Sequence, residues 1–197
     1  MEHNVATAQG ARIKMNVILF SGGLDSTVLL AYLCKDEKPL AISFDYGQLN
    51  AKELDHAKRL TKHYGVEHRI IKLDNIQGLP SNEAFYIPFR NTVFLSWVCN
   101  LAETEHINKI YYACHHNDYD DYPDCRKEYV DHFNEILKLH GNLEIVAPFI
   151  NFLKQDIVKL GIKLNVPLNK TWSCYLGNEK PCNNCPACKL RNEAMAQ

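Results

Sequence analysis

Two clusters in this sequence combine residue types and spacings that chemistry would require. The first is Ser21-Gly22-Gly23-Leu24-Asp25-Ser26-Thr27. Paired glycines let the backbone turn tightly and bring its N–H groups close to an anion. A helix opening near Asp25 would add its positive end, and Ser21, Ser26 and Thr27 would add hydroxyl donors. The expected ligand is a phosphate or pyrophosphate. No Gly-Lys-Ser/Thr follows, so this is not a Walker A loop, and it is not a G-x-G-x-x-G fingerprint either. A plain strand-to-helix turn capped by Ser and Asp would use the same residues.

The second cluster is Cys174-x7-Cys182-x2-Cys185-x2-Cys188. Two-residue spacers let neighbouring sulfurs converge on one ion, and one longer excursion returns the first ligand. Tetrahedral zinc held by four thiolates is the natural product, and a closed thiolate shell makes it a structural site. An iron–sulfur cluster or redox-active pairs are the alternatives that spacing leaves open. Nucleic-acid-binding zinc ribbons share the geometry, but Lys180, Lys189 and Arg191 are a thin basic complement. Of the other cysteines, Cys34 and Cys99 read as core packing. Cys125 reads either as a nucleophile or, preferably, as a small buried hydrophobe. His115 and His116 lie past a strand end where a general base is useful, although the surface reading is preferred for both. Tyr46 and Tyr122 read as stacking partners for a heterocycle or as half-buried packing.

These residues need a frame, and the apolar pattern supplies one. Asn16 to Phe20, Pro39 to Phe44, His68 to Leu73, Lys109 to Cys114 and Glu144 to Pro148 read as strands. The segments Asp25–Leu33, Leu54–Tyr64 (closed by Gly65), Asn91–His106, Tyr129–His140 and Leu153–Leu164 read as helices, with Asn91–His106 apolar nearly all round and so buried. Asp74 to Pro88 reads as a loop. Alternating strands and helices imply a Rossmann-like α/β fold, a parallel sheet covered on both faces. Ligands then bind outside the carboxyl ends of the strands, where segments 21–27, 45–48 and 115–126 all fall. The expected organisation is an extension over 1–14, an α/β domain over 15–170, and a cysteine-rich element over 171–197. The extension lacks the apolar stretch of a secretory signal.

Composition narrows the class. The chain has 197 residues, 46% hydrophobic and 23% charged, with a net charge of −1. These are ordinary globular values, which excludes disorder and fibrous classes. The neutral balance argues against a protein that coats nucleic acid or an anionic membrane. Clustered rather than scattered cysteines point to a reducing, cytoplasmic compartment.

The hexapeptide resembles the PP-loop of the ATP pyrophosphatase superfamily, whose pattern is Ser-Gly-Gly-x-Asp-Ser. Three further stretches, Phe44-Asp45-Tyr46-Gly47-Gln48, Tyr122-Pro123-Asp124-Cys125-Arg126 and Thr171-Trp172-Ser173-Cys174-Tyr175, resemble signatures of the 7-cyano-7-deazaguanine synthase family. The resemblance runs from about Met15 to Arg191. It implies that ATP activates the carboxylate of 7-carboxy-7-deazaguanine, that ammonia forms the amide, and that a second activation yields the nitrile. Matched residue by residue, Ser21, Asp25 and Ser26 would act on the pyrophosphate, within a nucleotide-binding stretch Phe20, Ser21, Gly22, Gly23, Leu24, Asp25, Ser26, Thr27, Val28, Leu29 and Leu30. Asp25 and Asp45 would hold Mg2+. Arg90 and Asn91 would meet phosphate or carboxylate, and Tyr46, Tyr122, Asp124 and Arg126 would meet the deazaguanine. Phe89 stands where the family commonly has glycine. The resemblance also implies ATP, Mg2+ and Zn2+ as cofactors and a homo-oligomer, while the lack of a long apolar run and the neutral charge argue against a membrane and a nucleic-acid partner. The competing readings are a related enzyme that stops at the amide or conjugates the deazaguanine elsewhere, a PP-loop tRNA-modifying enzyme, and a zinc-knuckle nucleic-acid-binding module.

Overall fold

The computed structural model describes residues 15–74, 76 and 86–196. The extension 1–14 and most of the loop expected over 74–88 lie outside them. Five strands, β1 (Met15–Leu19), β2 (Leu40–Asp45), β3 (His68–Lys72), β4 (Ile107–Tyr111) and β5 (Glu144–Val146), form one fully parallel sheet in the order β3-β2-β1-β4-β5. Each expected strand is present, with ends shifted by up to three residues. The connections are α1 (Leu24–Leu33), α2 (Lys52–Tyr64), α3 (Arg90–Glu105), α4 (Lys127–Leu137) and α5 (Lys154–Lys163).

Alternation along the central strands builds two cores. Val17, Leu40, Ile42 and Phe44 face α3 and α4, where Leu95, Val98, Val130 and Leu137 meet them. Ile18 and Ala41 face the opposite side, with Val28, Leu29 and Leu30 of α1, Ala57 and Leu60 of α2, and Ile157 and Val158 of α5. Burial on both faces is why these strands read as continuous apolar runs. Helix α1 buries an apolar run, Val28 to Ala31, while Tyr32 faces out, and each leucine so buried contributes roughly 1.5–3 kcal/mol. Gly161 lets α5 approach it: a Cβ there would lie 2.9 Å from Val28 Cγ2 and 3.1 Å from Leu168 Cδ2.

Two helices differ from the sequence reading. Helix α3 is not buried all round; Asn91, Leu95, Val98 and Ala102 form its one buried stripe, while Val93 is 44% exposed. Its aromatic side chains lie partly buried along the flank, Phe94 stacked on Phe44 at 4.3 Å and Trp97 edge-on to it at 5.8 Å. The cysteine-rich segment also holds a sixth helix, α6 (Pro186–Met195), beginning between the third and fourth of its cysteines. Cys185 is its N-cap and Pro186 occupies the first turn, where the missing N–H costs nothing. Ala194 of α6 joins the core of α1 and α5, so this segment is packed against the sheet domain. Arg191 fastens it further, donating to Leu168 O at 2.6 Å, Thr171 Oγ1 at 2.6 Å and Ser173 Oγ at 3.1 Å.

Candidate active site at the carboxyl ends of the strands

A cavity of about 480 Å3 opens at the carboxyl ends of β1, β2 and β4. Its lining comes from the loop after β1, the start of α2, the start of α3, the segment after β4, Lys154 of α5 and the cysteine-rich segment.

The loop after β1 is wound tightly. Gly22 has φ +79°, and a Cβ on it would lie 2.7 Å from both Ala57 N and Glu53 O of α2. No side-chain-bearing residue fits that approach without displacing α2. Ser21 Oγ accepts from Gly23 N at 3.1 Å and pairs with Ser26 Oγ at 3.1 Å. Thr27 Oγ1 donates back to Gly23 O at 2.6 Å. Gly23 caps α1 without a side-chain bond, leaving that helix end directed at the cavity. Trp172 N donates to Gly22 O at 3.1 Å, tying the loop to the cysteine-rich segment.

Behind the loop lies a buried ion network. Lys154 Nζ donates to Asp25 Oδ2 at 2.6 Å and lies 3.4 Å from His115 Nε2. His115 Nε2 is 3.7 Å from Asp25 Oδ2, and its Nδ1 is 3.4 Å from Asp118 Oδ2. Burial alone would raise the pKa of Asp25, but Lys154 and His115 outweigh it and hold the carboxyl far below its ordinary value. Asp118, with burial dominant, is shifted upward. Asp25 Oδ1 is buried with no hydrogen-bond partner among the described residues. An orphaned buried carboxylate oxygen at a helix N-terminus suits a cation that accompanies phosphate.

The opposite end of the cavity is aromatic and carries one guanidinium. Arg90 opens α3 and donates through Nη1 to Tyr46 Oη at 3.3 Å; its Nε is buried without a partner among the described residues. Burial disfavours its charge, but Tyr46, Tyr112 and Glu53 reverse that and its pKa is raised. Glu53 of α2 accepts from Gln48 Nε2 at 3.2 Å and Asn50 Nδ2 at 2.8 Å. Burial nevertheless outweighs Arg90 and these donors, and the carboxyl is raised to about 7. Tyr122 and Tyr175 close this end, their hydroxyls 2.9 Å apart.

Several expected site residues fall elsewhere. Val28, Leu29 and Leu30 are wholly buried in the core, and Thr27 is fully buried, so this part of the stretch supports the loop without reaching the cavity. Asp45 lies outside the lining, its Oδ1 turned to Gly47 N at 3.4 Å. Asp124 is buried but accepts from Asn91 N at 3.3 Å, so it caps α3 and does not line the cavity. Arg126 is exposed and donates to Tyr119 O at 2.8 Å. His115 is not a surface histidine: it is 1% exposed, whereas His116 is exposed. Cys125 reaches the cavity, but burial pushes its thiol far above the ordinary range, which removes the thiolate a nucleophile needs. Phe20, Ser21, Gly23, Leu24, Asp25, Ser26, Tyr46, Arg90, Asn91 and Tyr122 do share the one cavity.

The four cysteines of the last segment converge, with all Sγ atoms within 4.8 Å of one another. Cys182 and Cys188 sulfurs are 3.9 Å apart, close to the edge of a tetrahedron with ~2.3 Å Zn–S bonds. Asn184 and Cys185 N–H groups point at Cys182 Sγ at 3.5 and 3.3 Å and lower its thiol pKa to about 6. Four sulfurs at this spacing fit zinc.

A parallel α/β sheet with a Ser-Gly-Gly-x-Asp-Ser loop at its crossover point defines a nucleotide-binding protein of the PP-loop class. The family model described as "Queuosine biosynthesis protein QueC" matches residues 15–85 and 78–197, and the chain belongs to that family. It is 40% identical to the 7-cyano-7-deazaguanine synthase of Thermoplasma volcanium, over 90% of this chain and 85% of that one. It is 38% identical to the 7-cyano-7-deazaguanine synthase of Prochlorococcus marinus, over 92% of this chain and 93% of that one. Among solved structures, NMN synthetase from Francisella tularensis shares the fold, with a TM-score of 0.58 at 17% identity over 93% of this chain and 78% of that one.

Proposed function

We propose that the protein converts 7-carboxy-7-deazaguanine and ammonia to 7-cyano-7-deazaguanine at the expense of ATP. The observation that carries this reading is one cavity joining a phosphate-binding loop to a buried guanidinium with an unpartnered Nε, Arg90. The relatives named above bear the same activity in their names.

A carboxylate is a poor electrophile until one oxygen becomes a leaving group. In this reading Ser21, Gly23, Ser26 and the N-terminus of α1 hold the pyrophosphate of ATP. Lys154, with Asp25 fixing its position, neutralises charge that develops as pyrophosphate departs. Arg90 pairs with the substrate carboxylate and directs one oxygen at the α-phosphorus. That oxygen forms the P–O bond and pyrophosphate leaves. Ammonia then attacks the acyl carbon, AMP departs and a proton is lost, giving the amide. In the second round the amide oxygen attacks the α-phosphorus of a second ATP and pyrophosphate leaves; loss of AMP and the two remaining N–H protons then gives the nitrile. Mg2+ held by Asp25 Oδ1 would supply further neutralisation of the phosphates. Zn2+ on Cys174, Cys182, Cys185 and Cys188 would hold the C-terminal segment in place.

The test incubates purified protein with 7-carboxy-7-deazaguanine, ammonium and Mg·ATP and reads products by mass. Nitrile with AMP is the expected result. Amide as the end product would replace the second activation with a shorter reaction, and absence of AMP would sink adenylation altogether.

A further inference from the structure

The cysteine-rich segment does more than close the fold. Trp172, Ser173, Tyr175, Pro186, Ala187 and Leu190 all line the cavity. Each lies within two residues of one of the four converging cysteines, so these lining positions are fixed by the metal knuckle. Tyr175 directly follows Cys174, and Trp172 Nε1 donates to Cys174 O at 2.9 Å. Across the cavity mouth the Tyr175 hydroxyl meets that of Tyr122 at 2.9 Å, and Tyr122 sits on the segment after β4. Tyr86 adds a third ring, 6.1 Å from Tyr122. The Arg90 guanidinium lines the same cavity as the pair.

We propose that Tyr175 and Tyr122 form an aromatic clasp for the flat heterocycle of the carboxylate substrate, and that the four-cysteine knuckle is its positioning element. The inference rests on the proposed reaction and names the subsite within it. A planar, polar heterocycle whose carboxylate is held by Arg90 places its ring against the neighbouring phenol faces, where stacking and phenolic hydrogen bonds both act. The knuckle metal then sets substrate affinity at a distance, because it fixes the backbone that carries Tyr175. The loop after β1, which with Lys154 holds the nucleotide phosphates, touches that wall through the Trp172 N–H to Gly22 O bond, and the phosphates depend on it less than the heterocycle does.

Steady-state kinetics on the metal-loaded full chain test the clasp. Tyr175→Ala and, from the opposite segment, Tyr122→Ala should each raise the KM for 7-carboxy-7-deazaguanine about tenfold while moving the KM for ATP less than about twofold. Tyr175→Phe keeps the ring and should recover most of the loss. Equal changes in both KM values, or no change in either, would overturn the clasp. The metal arm uses a Trp97→Phe background, so that Trp172 alone reports on the knuckle. Stripping the metal should red-shift Trp172 emission and abolish binding of the carboxylate in equilibrium dialysis, with the helical circular dichroism largely kept. Binding that survives metal removal would overturn the positioning role. Wild-type protein that forms no AMP from the carboxylate would instead refute the reaction, a result separate from any variant's behaviour.

Discussion

The two ends of the cavity are built on opposite principles. The end proposed to hold phosphate is made of backbone from one short loop, pressed against α2 at Gly22 and backed by the Asp25–Lys154–His115 network. Lys154 and His115 are buried there beside a partly exposed Asp25, one of whose carboxylate oxygens is paired with Lys154. The end proposed to hold the heterocycle is made of long side chains, Arg90, Tyr46, Tyr122 and Tyr175, drawn from the start of α3, the loop after β2, the segment after β4 and the cysteine-rich segment. The first end is placed by the sheet and α2, with one bond from Trp172 N to Gly22 O; the second is placed by the segments that meet there. Chemistry common to many nucleotide-using proteins can reside in the first, and substrate choice can change in the second without disturbing the sheet.

The strongest way to break that contrast is to remove a cysteine. Cys188→Ser should lose the metal and several kcal/mol of stability, read as a lower urea midpoint and sub-stoichiometric zinc. At permissive temperature the phosphate end should still bind ATP while carboxylate binding is lost. Lys154→Met acts on the other end. It should lower the rate of AMP formation on the order of 10²–10³-fold and leave carboxylate binding intact, as measured by single-turnover kinetics and dialysis. Glu53 sharpens the comparison through pH. Its carboxyl rises from 4.5 to about 7 in the folded protein. Folded protein therefore holds a proton that the unfolded chain releases, and stability falls as pH rises through that window and then levels off. Glu53→Gln should flatten the profile, by on the order of 1–3 kcal/mol between about pH 4.5 and about pH 7 in denaturant titrations. The smallest effect is expected at Phe89, which sits at φ +55° and is 70% exposed at the start of α3. Phe89→Gly should relieve left-handed strain at the cost of chain entropy, a net gain in stability under about 1 kcal/mol seen as a slightly higher Tm.

The legibility of this protein in its sequence divides along the same line. Parallel strands buried on both faces announce themselves as apolar runs, and all five are readable. The phosphate loop is readable too, because its glycines and hydroxyls are contiguous. Lys154 is not. It stands in the first turn of an amphipathic helix, where a lysine ordinarily faces solvent, and only the packing of α5 on α1 turns it onto Asp25, 129 residues away. His115 misleads for the same reason: a polar segment after a strand looks exposed until the sheet closes around it. Asp124 and Arg126 show the reverse error. They lie beside Tyr122 in sequence, yet the short turn at Pro123–Cys125 sends one to the N-terminus of α3 and the other outward. Helix α6 is hidden because four cysteines dominate its segment, although Pro186 in the first turn and the run Lys189 to Met195 carry a usable helix signal.

The connection of Trp172 to Gly22 has a consequence for how the protein is made. Residues 172–190 leave the ribosome after every strand of the sheet, and domains fold in that order during synthesis. A nascent chain would therefore own every strand of its sheet before Trp172 could tie down the loop after β1. Until the cysteine-rich segment emerges, the chain carries Arg90, Tyr46 and Tyr122 but lacks Tyr175 and the Trp172 bond to Gly22, so both ends of the cavity are completed last.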